Sequence, residues 1–387
     1  PSDGARFVRW YVGDALPLAD VANAEISLSP EAAKGGVRAY FVSLSGEKTP
    51  KTWTGDAGTG KWGDDGNWDP SGVPTPDNAV TIDFGRVTIP DFAVAGSLTL
   101  GASTELYLGS EYFDASSVYA KQLNGPAKAL GLLVAGDVDC AGAMTIGGQI
   151  AATGVSTLTN LQIQIGGDLK ATGSAKIAVY AASDPAAAVR GDFARLYAGA
   201  TVVRIGGAFE LKDTATLYPT CDELTGASVK FEAATFLLGE GATVDASNRG
   251  WHWFNRGGYK GPSGYYAHTA RNYNTFALGI GLNNQIGSGY GGLGGGANDT
   301  FGLTYGYAYA PFLPGAPAGG DSNYSTSYDA TTGLLRGGGC FWLRTTGEAV
   351  VDGKIDVSAR NADWDAASGG SVWLAVGELT VGEKASI

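Results

Sequence analysis

Positive charge is scarce in this chain: 26 Lys and Arg stand against 38 Asp and Glu, for a formal net charge of −12. Phosphate neutralisation needs a basic face, and no Lys/Arg stripe runs through the sequence, so nucleic acid is excluded as a partner. Cysteine is nearly as scarce. Cys140, Cys221 and Cys340 lie far apart with no CxxC spacing, which supports neither a disulfide framework nor a zinc site. Cys140 in "DVDCAGAM" and Cys340 in "GGGCFWL" sit in strand-like runs and are expected as buried thiols. Runs of about 18 apolar residues are absent, so no membrane span is expected. Helical periodicity is confined to "DPAAAVRGDFARL" at 184–196. No signal peptide is visible. The abrupt start at Pro1 and a last repeat that stops in mid-pattern lead us to expect a longer parent protein.

What the chain does have is 61 glycines together with 44% hydrophobic residues. A disordered chain would lack that apolar content. The apolar residues fall in β-rich runs of three to five, punctuated by Gly, Asp and Asn. These runs repeat. "IGGDLKATGSAKIAV" from Ile165 returns as "IGGAFELKDTATLYP" from Ile205, and "AGDVDCAGAM" begins the same pattern at Ala135. "GGGCFWLRTTGEAVVDGKIDV" from Gly337 is echoed by "SGGSVWLAVGELTVGEKASI" from Ser368, which aligns Trp342 with Trp373; "FLLGEGATVDAS" from Phe236 belongs to the same set. Repeats of this length with short strands and no helices predict stacked coils whose aliphatic positions form ladders. The expected fold is all-β: a right-handed parallel β-helix with a Gly/aromatic-rich insertion and a small N-terminal β-rich segment. A β-sandwich or propeller ranks second, because Gly-Gly corners suit a coil better than a hairpin.

The expected division is 1–45, a truncated small β-rich repeat or linker; 46–85, a Trp-rich cap; and 86–387, the β-helix, interrupted at 251–335. In the first segment Gly4, Phe7, Trp10 and Val37, Ala39, Phe41 resemble the end of small β-rich repeats of bacterial surface proteins. In the second, Trp53, Gly55, Trp62, Asn67, Trp68, Gly72, Pro74, Asp77, Val80 and Ile82 resemble the segment that opens β-helical regions of large bacterial surface and autotransporter-like proteins. That resemblance implies capping of the first coil, an otherwise unpaired edge. Sugar stacking by the three tryptophans is the alternative. "DDGNWD" at 64–69 is a loose match to a calcium loop, without the spacing or final Glu of an EF-hand.

The insertion concentrates rings. Residues 251–328 hold 16 of the 41 aromatics and 18 glycines but only two acids, Asp299 and Asp321. Both histidines, His252 and His268, lie here, too few for a metal site. Tyr and Trp offer broad apolar faces with polar edges and lose little entropy when fixed, which suits a pyranose. Trp251, Trp253, Tyr259, Tyr265, Tyr266 and Tyr273 are the predicted stacking rings; Asn255, Arg256, Arg271 and Asn272 are their hydrogen-bonding partners. Further on, Tyr305, Gly306, Ala308, Pro311, Pro314 and Gly315 resemble a recurring Gly-rich element of β-helical surface proteins, which implies scaffold from Tyr305 through Phe312.

Three functions fit. A non-catalytic carbohydrate-binding module for a plant cell-wall polysaccharide, xylan or a related glycan, leads; over roughly 53–387 the chain resembles β-helical modules attached to xylanases of gut bacteria. The second is a β-helical polysaccharide lyase or glycoside hydrolase. A hydrolase needs two carboxylates about 5 to 9.5 Å apart, and Asp299 and Asp321 sit in separate Gly-rich loops. Arg256, Lys260, His268 and Arg271 could serve a lyase, but no calcium-binding acid cluster is recognisable. The third is a structural stalk or adhesin segment. The expectations are therefore no catalytic or metal-ligating residue and no cofactor beyond an optional structural calcium ion. A secreted or cell-surface location and covalently linked catalytic or surface-anchoring domains are expected as well.

Overall fold

The computed structural model describes residues 5–11, 37–43, 48–89, 92–108, 129–146, 160–181, 201–221, 226–250, 311–316, 336–359 and 367–387. Within them the chain is nearly all β, and most strands pair in parallel. Two strands stand apart: β1 (Ala5–Tyr11) and β2 (Arg38–Ser43) form their own antiparallel sheet, with Phe7 opposite Phe41 and Trp10 opposite Ala39. The larger assembly begins with β3 (Thr49–Trp53), β4 (Trp68–Asp69), β5 (Asn78–Ile89), β6 (Phe92–Ala95) and β7 (Ser97–Leu108).

Thereafter strands come in threes. They are β8 (Ala129–Val134), β9 (Val138–Cys140) and β10 (Ala143–Ile146); β11 (Asn160–Ile165), β12 (Leu169–Ala171) and β13 (Lys176–Tyr180); β14 (Thr201–Ile205), β15 (Ala208–Leu211) and β16 (Thr216–Thr220). Next come β17 (Val229–Ala233), β18 (Thr235–Leu238) and β19 (Thr243–Asp245); β20 (Cys340–Thr345), β21 (Glu348–Val351) and β22 (Lys354–Asp356); and finally β23 (Ser371–Ala375) and β24 (Glu378–Val381). Each strand pairs with the strand three places on. The first members form a seven-stranded sheet, β23-β20-β17-β14-β11-β8-β6. The second and third members belong to a 15-stranded sheet and join through the long β7, whose first half pairs β9 and whose second half pairs β10.

The repeats seen in the sequence are these pairings. Ile165 lies opposite Ile205 and Trp342 opposite Trp373. The amide of Gly167 donates to the carbonyl of Gly136 at 3.0 Å. Pairing in register stacks like on like. Leu98, Val138, Leu169, Phe209, Phe236 and Ala349 follow one another across β7, β9, β12, β15, β18 and β21, and all are buried. Where Phe occupies neighbouring coils the rings pack together: Phe209 lies 5.7 Å from Phe231 and 5.4 Å from Phe236. One continuous core runs from Trp53 to Ile355. Full burial of each such side chain is worth about 1.5–3 kcal/mol, which no coil could gain alone.

Aspartate does the work of joining corners. Asp137 accepts the amide of Asp168, and Asp168 in turn accepts the amide of Ala208, both at 2.8 Å. Each carboxylate thus satisfies a backbone donor one coil further on. Glycine beside it is obligatory, because a Cβ on Gly167 or Gly207 would overlap the capping carboxylate.

The tryptophans at 53–68 are core, not surface. Trp53, Trp62 and Trp68 are 3%, 1% and 3% exposed. Trp68 meets the other two edge-on, at 5.0 and 4.9 Å. They offer no open face to a sugar. Buried Asn67 holds the loop: its amide nitrogen donates to Thr59 Oγ1 and the Lys61 carbonyl, and its oxygen accepts from the Ala57 amide. Lys51 Nζ, on buried Lys51, donates to the carbonyls of Pro70 and Gly72 at 2.7 and 2.8 Å. Two of the three acids of "DDGNWD" have protein partners. Asp64 caps the 3-10 turn Asp65–Asn67 and accepts from Thr59, while Asp65 accepts from the Val73 amide. The short helix expected at 184–196 lies outside the described residues.

Candidate functional site

All ten predicted sugar-contacting residues, Trp251, Trp253, Asn255, Arg256, Tyr259, Tyr265, Tyr266, Arg271, Asn272 and Tyr273, lie outside the described residues, as do Asp299, Asp321 and both histidines. The structure does describe the residues that flank that segment, Gly250 on one side and 311–316 on the other. Gly250 donates its amide to the Gly337 carbonyl at 2.9 Å, and Gly315 donates to Gly338 at 2.7 Å. Between them, 311–316 crosses the starts of three strands. Ser228 before β17 donates to the Phe312 carbonyl at 2.7 Å, and Ser371 of β23 donates to the Leu313 carbonyl at 2.6 Å. The Cys340 thiol of β20 lies 3.8 Å from the Pro311 carbonyl.

This crossing places Phe312 against an aromatic ladder on the outer face of the seven-stranded sheet. Alternation puts Phe341 and Leu343 into the core and Trp342 outward. Trp342 and Trp373 stack at 4.8 Å with 12° between their planes; Phe312 lies 5.7 Å from the first and 6.1 Å from the second. Trp342 is nearly covered, whereas Phe312 and Trp373 are half-buried. The implied scaffold role for Phe312 agrees with this packing, since its ring covers Trp342.

An ionic row runs beside the ladder. Lys230 is opposite Trp342 across the strand pair, and its Nζ stands 5.2 Å from that ring's centroid. Lys230 Nζ also lies 2.5 Å from Glu232 Oε1, and Arg204 Nε lies 3.3 Å from Glu232 Oε2. Arg344 follows Glu232 in register one strand on, and Ala375 follows Arg344. Partial burial works to raise the Glu232 pKa. The surrounding Lys230, Arg204 and Arg344 outweigh it and hold the carboxyl below its ordinary value.

Sequence reasoning aligned Trp342 with Trp373 but assigned neither to a site. The available signal was the alternation in "CFWLR", which turns Trp342 away from the core.

Beneath the crossing segment lies a small sulfur-containing cluster. Cys221, Cys340 and Trp342 pack together, and the Cys221 thiol is 3.4 Å from the Ser228 hydroxyl. Burial pushes the Cys340 thiol up to about 11 and Cys140, elsewhere in the core, up to about 12. These thiols are protonated and enclosed, the opposite of what a nucleophile needs. Among the described residues no three His, Cys, Asp or Glu side chains converge as a metal site would require, and no helix is long and apolar enough to cross a membrane.

An open cleft of about 560 Å³ lies at the other end of the sheet, lined by Lys61, Trp62, Gly63, Asp64, Asp65, Val73, Ile89 and Phe92. Its two carboxylates are the ones already bonded to loop donors. The ladder is therefore the better candidate. Comparison with protein-family models, with curated proteins and with solved structures finds no match.

Proposed function

We propose that this chain is a non-catalytic carbohydrate-binding module, secreted or cell-surface, built on a right-handed parallel β-helix. Its ligand is a plant cell-wall polysaccharide of the xylan type. The β-helix reading is supported by strands in threes, each paired in parallel with the strand three places on. The binding reading rests on one observation: the described residues that flank the ring-rich segment, Gly250 and 311–316, lie beside a ladder that keeps half-buried rings. Binding is favoured over hydrolysis by what the described acids do. Asp137, Asp168, Asp213, Asp245 and Asp356 all accept backbone amides.

A structural stalk is the second reading. Leu379 and Val381 stand in register with fully buried Ala349 and Val351, yet are 46% and 52% exposed. Such an apolar edge suits the stacking of a further β-layer.

Native affinity electrophoresis separates the readings. The chain would be run through gels carrying xylan, arabinoxylan, β-glucan, mannan or polygalacturonate, with product release monitored. Retardation by a xylan without cleavage is expected, and alanine at Trp251, Trp253 or Tyr265 should weaken it by about 1–3 kcal/mol for each ring that is a hot spot. Released product would make the chain a lyase or hydrolase. Unchanged mobility in every gel would leave the stalk.

A further inference from the structure

We infer that the aromatic ladder ends in a subsite for a uronic-acid residue, with Trp373 as its stacking face and Arg344 as its carboxylate partner. The inference rests on the carbohydrate reading and adds to it a second site, separate from residues 251–273, and a sign of charge.

Three observations carry it. First, the charge here opposes that of the chain. In a protein of net charge −12, this face sets Arg204, Lys230 and Arg344 against Glu232. Second, the one carboxylate that the described residues place in this row is already shared. One of its oxygens meets Lys230 and the other Arg204; Arg344, exposed and one strand further on, adds only a longer-range attraction and keeps its guanidinium fork for another anion. Ala375, next in its row, is too short to cover it. Third, the ladder stops at a ring that is only partly buried. Trp342 has Trp373 stacked upon it and the Lys230 ammonium over its ring. Trp373 belongs to β23, the last strand of the sheet, and among the described residues its only ring contacts are Trp342 and Phe312.

A hexuronate fits this pairing. The C–H face of its ring can lie on an indole, and its carboxylate presents two oxygens to a guanidinium fork, the geometry in which Arg surpasses Lys. Adjacent strands are about 4.8 Å apart and alternate residues of a strand about 6.6 Å, so Arg344, one strand behind Trp373 and two residues along, is still within side-chain reach of a sugar seated on that ring. Neutral pyranoses lack the group that would use Arg344.

The test is calorimetric titration of the chain with xylotetraose and with the same tetraose bearing one glucuronic acid branch, each in low and high salt. The branch should tighten binding about tenfold or more at low salt, and the gain should shrink as salt rises. Arg344→Gln should reduce the branched sugar to the affinity of the unbranched one. Trp373→Phe, which keeps an aromatic ring and so guards against loss of fold, should weaken the branched sugar alone. Trp251→Ala should leave the ratio between the two sugars intact. Equal wild-type affinities for the two sugars would overturn the subsite while leaving the carbohydrate module standing. A branch preference that survives Arg344→Gln would also overturn it, placing the uronate elsewhere. Binding of neither sugar would remove both. A sulfated xylotetraose binding as tightly as the glucuronate would replace the carboxylate specificity with simple charge attraction.

Discussion

Trp342 and Trp373 sit directly opposite one another on neighbouring parallel strands, and their indoles stack at 4.8 Å with nearly parallel planes. The contact joins two coils on the outside of the sheet, where most side chains face water. It should therefore matter to stability as well as to any ligand. Trp342 is only 8% exposed, so Trp342→Ala should cost about 3–5 kcal/mol. Trp373 is less covered, and its replacement by Ala should cost less, with the ring–ring contact alone worth about 0.5–1.5 kcal/mol. Urea unfolding followed by far-UV dichroism gives both values. Equal losses would mean that the two rings are covered to the same extent.

The alignment behind that stack was legible in the sequence because parallel pairing in register needs only a repeated pattern. Ile165 with Ile205 and Phe209 with Phe236 are further cases of like residues meeting across coils. The cap was suggested only by resemblance, which left sugar stacking open as an alternative; the burial of Trp53, Trp62 and Trp68 is what the structure adds. What the sequence hid was the ionic row. Arg204, Glu232 and Arg344 are far apart along the chain, and only the register of β14, β17 and β20 makes them neighbours. The aspartate caps were hidden for a similar reason. An Asp after a Gly reads as a turn, and nothing local reveals that its carboxylate serves the next coil.

Those caps give the fold an acid limit. Lys354 and Ser358 hold Asp356 down at about 2, against an ordinary 3.8, and the Ala208 amide together with Lys170 lowers Asp168 as well. A carboxyl depressed by folding stabilises the native state above its unfolded value and loses that contribution as pH falls through the folded one. Stability should accordingly be level above pH of about 5 and drop between about 4 and 2. Asp356→Asn should flatten part of the drop while lowering stability at neutral pH. Equilibrium unfolding at pH 7, 4 and 3 would test this; identical slopes for the variant and the parent would remove Asp356 from the account.

Burial should make the thiols slow to react. Cys140 and Cys340 are 1% and 0% exposed, and their thiols are raised to about 12 and about 11. Alkylation requires both access and thiolate. At pH 8 the native chain should leave Cys140 and Cys340 unmodified by iodoacetamide for hours, and both should label promptly in denaturant. Peptide mass mapping would reveal an exception. Rapid native labelling of Cys340 would mean that 311–316 lifts from the sheet, because the Pro311 carbonyl sits against that thiol.

The backbone crossing at 311–316 should tolerate substitution poorly. Gly338 accepts from the Gly315 amide, donates to the Ser368 carbonyl, and lies so close to Val357 and Gly370 that a Cβ would overlap the carbonyl of one and the amide of the other. Those atoms belong to backbone already committed to neighbouring hydrogen bonds, so no side-chain rotation can relieve the overlap. Gly338→Ala should therefore cost about 3 kcal/mol, the upper part of the overpacking range. It should also disturb the near-UV signal of Trp342 and Trp373, whose strands begin at this crossing. Gly369 provides the control. It is exposed, its nearest neighbour to a new Cβ is the Val357 carbonyl at 3.8 Å, and alanine there should change stability by less than about 1 kcal/mol. Matched urea midpoints for the two variants would mean that the crossing can spread apart. The contact of 311–316 with the ladder would then be a loose one, and the observation behind the binding reading would weaken with it.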